Sequence, residues 1–119
     1  SESIGPVQYS GTGGALSFTY GSYESQGGTA VLCFPSTFRD KEGKLHSKVK
    51  ASLTPGSIVT IPRSVTSTLA TEYGVANIKG LSLWNRTEAI INLAHPDFRD
   101  ELVKDAEKMN IWRKSSKIN

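Results

Sequence analysis

The run Thr29-Ala30-Val31-Leu32-Cys33-Phe34-Pro35, closed by Gly27-Gly28 on one side and by its own proline on the other, restricts the fold more than any other stretch of this chain. It is too short for an ordinary helix, and it has no alternation that would leave one side wet. It therefore predicts a strand covered on both faces, which belongs to a parallel or mixed sheet. The rear of the chain supplies helices to cover such a sheet. Ser82 stands where a helix cap belongs, ahead of an apolar stripe at Leu83, Thr87, Ile90, Ile91 and Ala94, spaced by three and four. Pro96 sits at a first-turn position, and a second stripe follows at Phe98, Leu102, Ala106 and Met109. Asp97, Asp100 and Glu101 lie near the start of that helix and Lys104 and Lys108 further on, as the helix dipole favours. The expected class is α/β, a mixed sheet with two C-terminal helices.

The remaining segments are read the same way. Gly11-Thr12-Gly13-Gly14 is a glycine turn opening a short helix at Ala15, which ends before Gly27-Gly28. Phe38 to Ser47 carries five charged residues and Gly43, and reads as an exposed loop or hairpin tip. Lys48 to Leu53 alternates polar and apolar residues, the mark of a strand with one wet face. Thr54-Pro55-Gly56 makes a turn, and Ile58 to Ile61 is expected as another strand closed by Pro62. Leu69-Ala70-Thr71 is a short strand leading into a turn at Glu72-Tyr73-Gly74. Residues Ser1 to Ser10 are small and polar, begin abruptly, and are expected to follow something longer; Arg113 to Lys117 reads as a solvated tail.

Composition narrows the function classes. With 119 residues, 37% hydrophobic and 21% charged, the chain is expected to form one globular domain over 1–119. No apolar run approaches the roughly 20 residues that cross a bilayer, and no leader is evident, so neither membrane nor export is indicated. The net charge of +3 is scattered rather than gathered into a stripe, which argues against a nucleic-acid partner. The single Cys33, among apolar neighbours, is expected to be a buried structural thiol in a reducing compartment, the cytoplasm by default. Two separated histidines and one cysteine make no metal site, and without a Gly-x-Ser-x-Gly elbow no serine hydrolase is built.

Three ordered stretches carry the functional signal: Ser10-Gly11-Thr12-Gly13-Gly14, then Thr71-Glu72-Tyr73-Gly74-Val75-Ala76-Asn77-Ile78-Lys79-Gly80, then Ala94-His95-Pro96-Asp97-Phe98-Arg99-Asp100-Glu101-Leu102. Amides at the mouth of a helix can face developing negative charge, and an acid at a strand end can sit where ligands collect in open sheets. Together the stretches resemble the C-terminal part of the acetyl-CoA hydrolase and CoA-transferase family. The resemblance implies a CoA-transferase-type (NagB/RpiA-like), largely parallel sheet flanked by helices. It also implies that this chain is the C-terminal fragment of an enzyme whose nucleophilic glutamate lies upstream. Coenzyme A is then a substrate rather than a cofactor, exchanged between an acyl-CoA and a short-chain carboxylate, or released to water, with a stand-alone CoA-binding module as the rival reading. The missing N-terminal part is the implied partner, with homo-oligomers common when full length. Carried over residue by residue, Gly14 offers its amide to the thioester oxygen and Gly13 and Gly14 lie along the CoA thiol arm. Glu72 becomes an auxiliary acid rather than the nucleophile, and Tyr73 and Gly74 shape the same wall. Pro35-Ser36-Thr37 resembles a family turn after which a basic residue, here Arg39, reaches the CoA phosphates, while the His95 run caps and docks the last helix. One departure is plain: Ala15-Leu16-Ser17-Phe18 replaces the Gln-x-Asp-Phe found in many members, so those side-chain contacts are not carried over.

Overall fold

The fold, obtained as a computed structural model, describes residues 2–114; Ser115, Ser116 and Lys117 of the expected tail lie outside the described residues. Ten elements follow in order: β1 (Ser3–Ile4), β2 (Val7–Gln8), α1 (Ala15–Glu24), β3 (Val31–Cys33), β4 (Thr37–Arg39), β5 (Leu45–Ser47), β6 (Thr68–Thr71), β7 (Gly74–Asn77), α2 (Leu83–Asn92) and α3 (Pro96–Lys108). The class is mixed α/β. The sheet that matters has the order β3-β6-β7, with β3 parallel to β6 and β6 antiparallel to β7. The other two ladders, β1-β2 and β4-β5, are antiparallel pairs. The parallel share is thus smaller than expected: the β3–β6 ladder alone runs parallel among the described residues.

The helices form where the sequence places them. The Ser82 hydroxyl accepts the Asn85 N–H at 3.3 Å and caps α2. His95 caps α3 through Nδ1, which accepts the Asp97 N–H at 3.2 Å, with Pro96 in the first turn, Asp97 beside it and Lys108 in the last. Their apolar faces meet around Val49, Ile91, Ala94, Leu102, Ala106 and Trp112, the main core cluster. Trp112 also donates from its indole N–H to Glu88 of α2 at 3.1 Å, which docks the chain just before the expected tail, and Arg113 and Lys114 that follow are exposed. Met109, expected at the end of the α3 stripe, is 47% exposed.

Two expected strands did not form. Val49 is buried against the helices, but Leu53, Ile58 and Val59 are exposed and no strand lies between Ser47 and Thr68. A strand needs a neighbouring ladder, and here Val49 spends its apolar surface on the helix pair while Pro55 and Pro62 interrupt the rest. The charged segment does form a hairpin, β4–β5, with Gly43 at φ +83 in its turn. Asp40 secures that turn by accepting the Glu42 and Lys44 N–H groups at 3.0 and 2.8 Å and pairing with His46 at 2.6 Å. Cys33 is exposed rather than buried, because β3 has a neighbour on one side only. Among the described residues, no helix is long and apolar enough to cross a membrane.

The helix-pair core predicts a sharp contrast. Leu102→Ala, at a site 8% exposed, is expected to cost about 2–5 kcal/mol. Met109→Ala should fall within about 0.5 kcal/mol of the parent. Urea unfolding followed by tryptophan fluorescence measures both; equal losses would mean that the α2–α3 seam is not the centre of stability.

Candidate functional site at the carboxyl edge of the sheet

Because β3 and β6 run parallel, both end at the same edge of the sheet. The Phe34 N–H still donates to the Ala70 carbonyl at 3.1 Å, so the ladder continues past β3 and carries Pro35 and Ser36 alongside the end of β6. Ser36 and Glu72, 36 residues apart, meet there. The Ser36 N–H donates to Glu72 Oε2 at 2.9 Å and to Oε1 at 3.2 Å, and the Ser36 hydroxyl donates to Oε1 at 2.5 Å. Ser36 is fully buried, at 0% exposure, whereas Glu72 is exposed. An immobile donor thus grips the carboxylate from one side and leaves its other side to solvent. The Ser36 hydroxyl first, and its N–H second, hold the Glu72 carboxyl below its ordinary value, with the nearby His95 adding a smaller pull. Near neutrality Glu72 is a fixed anion, suited to orienting a donor or repelling a like charge and unsuited to giving up a proton.

The turn that carries Glu72 is itself fastened. Thr71 pairs with Gly74, leaving Glu72 and Tyr73 as the hairpin loop, and Gly74 lies at φ +143, where a side chain is strained. The Thr71 hydroxyl donates to the Leu93 carbonyl at 2.8 Å and accepts the Tyr73 N–H at 3.2 Å, tying the loop to the end of α2. Arg99 holds that helix end by donating to the Ala94 and Asn92 carbonyls, each at 3.0 Å, and its guanidinium lies 5.5 Å from the Tyr73 ring centroid. Tyr73 also meets His95 edge-on at 5.6 Å. The capping bond at His95 Nδ1 places the neutral ring's proton on Nε2. The shallow hollow beside this corner, about 400 Å³, is lined by Cys33, Phe34, Pro35, Ala70, Thr71 and Glu72.

The glycine loop lies elsewhere. Gly13 and Gly14 line a separate cleft of about 460 Å³ with Ser10, Ile58, Thr60 and Ile61, and that cleft shares no residue with the Glu72 hollow. Gly14 is the residue before α1, so the free N–H groups of that helix open at the cleft. Gly11, Gly13 and Gly14 keep negative φ, so the left-handed backbone that glycine permits is not used there. What Gly14 does lack is room: an added Cβ would come within 3.2 Å of the Phe18 ring. Arg39 is held on the hairpin, donating to the Gly43 carbonyl at 2.7 Å, and lines neither cleft. The structure therefore brings Glu72, Tyr73 and Gly74 together with Ser36, His95 and Arg99, and keeps Gly13, Gly14 and Arg39 apart from them. A further cleft, about 540 Å³ between the β4–β5 hairpin and α3, sets Lys44 and Lys50 against Glu101 and Asp105. Its charges offset one another, and the clamped acid lies outside it.

Sequence reasoning missed the part played by Ser36. Its signal was the small hydroxyl residue just past the apolar strand, which acquires meaning only once that strand pairs with the one before Glu72.

Fold and corner together define a class: a mixed α/β domain that holds an ionised glutamate at the carboxyl edge of a parallel strand pair. Residues 1–106 match the acetyl-CoA hydrolase/transferase C-terminal domain, and the chain belongs to that family. It is 56% identical over 116 residues to butyryl-CoA:acetate CoA-transferase of Anaerostipes caccae, covering 98% of this chain and 26% of that protein. It is 44% identical over 108 residues to 4-hydroxybutyrate coenzyme A transferase of Clostridium kluyveri, covering 91% and 24%. Among solved structures it resembles RipA from Yersinia pestis, with a TM-score of 0.74 and 42% identity over 91% of this chain and 23% of that one. The chain spans about a quarter of the length of the curated relatives it matches.

The clamp has a titration signature. Since Glu72 is lowered in the folded state, its ionisation contributes stability above the ordinary glutamate value of about 4.3, and that contribution is lost as pH falls through the lowered value. Ser36→Ala removes the larger cause and keeps the N–H, so Glu72 should titrate closer to an ordinary glutamate, with a smaller acid-side loss. Carboxyl-carbon NMR of the two proteins checks this; an unmoved Glu72 titration would show that the hydroxyl is not its anchor.

Proposed function

We propose that this chain is the C-terminal portion of a CoA-transferase that moves coenzyme A between an acyl-CoA and a short-chain carboxylate through a glutamyl-CoA thioester. The attacking glutamate comes from the upstream part of the enzyme. Its carboxylate adds to the thioester carbonyl and expels CoA thiolate, leaving a mixed anhydride. The thiolate then attacks the glutamyl carbonyl of that anhydride, releasing the first carboxylate and forming the enzyme thioester, and the second carboxylate reverses the sequence. The observation that carries the reading is the Ser36-clamped Glu72, an anion presented at the sheet edge where open α/β folds receive ligands. In this scheme Glu72, a standing negative charge, positions the nucleophile's carboxylate by repelling it and so limiting where it can lie. Tyr73 and Gly74 form the wall beside it.

Gly13 and Gly14 act separately, at the opening of α1, where their amides meet the thioester oxygen and the thiol arm of CoA. Because the two places share no cleft within this chain, the reading gives them different parts of one extended substrate, bridged by the portion the relatives have upstream. Arg39 takes the phosphates only if it leaves Gly43. The relatives quoted above bear transferase names, which favours a carboxylate over water as the acceptor.

The 119-residue chain alone should show no turnover with acetyl-CoA and butyrate, while the full-length enzyme turns over. In the full-length enzyme Glu72→Gln should lower kcat by about tenfold or more, with the fold intact by circular dichroism. Turnover by the isolated chain that Glu72→Ala abolishes would make Glu72 the nucleophile and sink the assignment.

A further inference from the structure

Among the described residues, no strand pairs with the β3 edge of the β3–β6–β7 sheet. Phe34 points its N–H at β6, and the Ala30 carbonyl, four residues earlier, accepts the Ser67 hydroxyl at 3.3 Å on the same side. Main-chain groups alternate sides along a strand. Leu32 therefore also faces β6, and the N–H and C=O groups of Val31 and Cys33 face away from it. Their side chains are open as well: Val31 is 47% exposed and Cys33 is exposed. β3 is short, at three residues, but it carries no charge, proline or bulge that would turn a partner strand away. The opposite edge, β7, runs beside α2.

We propose that the free edge of β3 is a strand acceptor: in the full-length enzyme it pairs, main chain to main chain, with an extended segment of the upstream polypeptide. This rests on the reading of the chain as the C-terminal part of a longer transferase. Three observations select that occupant. The run Thr29 to Pro35 has the unbroken apolar character of a strand inside a sheet, yet in this chain it stands at the border. The relatives are about four times longer, with 26% of the Anaerostipes enzyme covered. The radius of gyration, 15.4 Å, exceeds the roughly 13.5 Å expected of a self-contained domain of this length. An added strand would cover Val31 and Cys33 and place the Glu72 corner inside a wider sheet rather than at its rim.

Hydrogen exchange of the full-length enzyme at residue resolution tests this. The amides of Val31, Leu32, Cys33 and Phe34 should all be protected, with Val31 and Cys33 exchanging about tenfold or more slowly than in the 119-residue chain. Alkylation of Cys33 by iodoacetamide should slow in parallel. An alternating pattern in the full-length enzyme, with Leu32 and Phe34 protected and Val31 and Cys33 open, would overturn the proposal. So would concentration-dependent protection of the isolated chain, which would mean pairing between copies. A CoA-transfer assay on the same preparation separates the two readings: an active enzyme with an open edge sinks the strand acceptor alone, and an inactive enzyme with a protected edge sinks the transferase reading alone.

Discussion

The parallel pairing of β3 with β6 is the constraint on which the rest depends. Its register, Val31 to Thr68 through Cys33 to Ala70, brings Ser36 beside Glu72, although neither belongs to a strand. Slipping the register by a residue would break the three hydrogen bonds at the carboxylate and turn each side chain to the opposite face. The loop bearing Glu72 cannot correct such a slip. It is anchored through Thr71 to the end of α2, and Arg99 holds that end from α3. Sheet, loop and helix pair thus form one chain of contacts ending on an exposed carboxylate.

Buried and open apolar side chains are divided between two regions of the molecule. Most buried apolar side chains sit along the α2–α3 seam with Val49 and Trp112, while large apolar side chains toward the front remain open, among them Phe18 at 82% and Val31 at 47%. An apolar residue exposed on its own is ordinary. A helix such as α1, with Thr19 as its buried residue and Phe18 and Tyr20 in solvent, is not what a self-sufficient fold builds. The helix pair holds most of the buried core, whereas α1 and β3 leave apolar side chains open to solvent.

Much of this was readable from residue types. The caps at Ser82 and His95, the two helical stripes, the Thr71 turn and the hairpin at Phe38 to Ser47 all follow from local chemistry, because each depends on residues a few positions apart. The misses share a cause. Lys48 to Leu53 and Ile58 to Ile61 carry strand patterns without a neighbour to pair with, and Cys33 carries a core pattern at a sheet border. In each case the local signal was sound, and the outcome was set by what lay alongside. The glycine loop shows the same limit in another form: its composition permits left-handed backbone, yet Gly13 and Gly14 do not use it, and the constraint at Gly14 is the Phe18 ring.

By itself the amino-acid order determined the mixed α/β class, the ends of the helices and the identity of the acid at the turn, since periodicity, capping and turn chemistry act over a few residues. Only the tertiary structure decided that Ser36 grips Glu72, that Gly14 opens on a different cleft, and that β3 lies at an edge. Those outcomes depend on strand partners far apart in the chain, and a strand's neighbours are chosen by the assembled sheet rather than by the strand's own sequence.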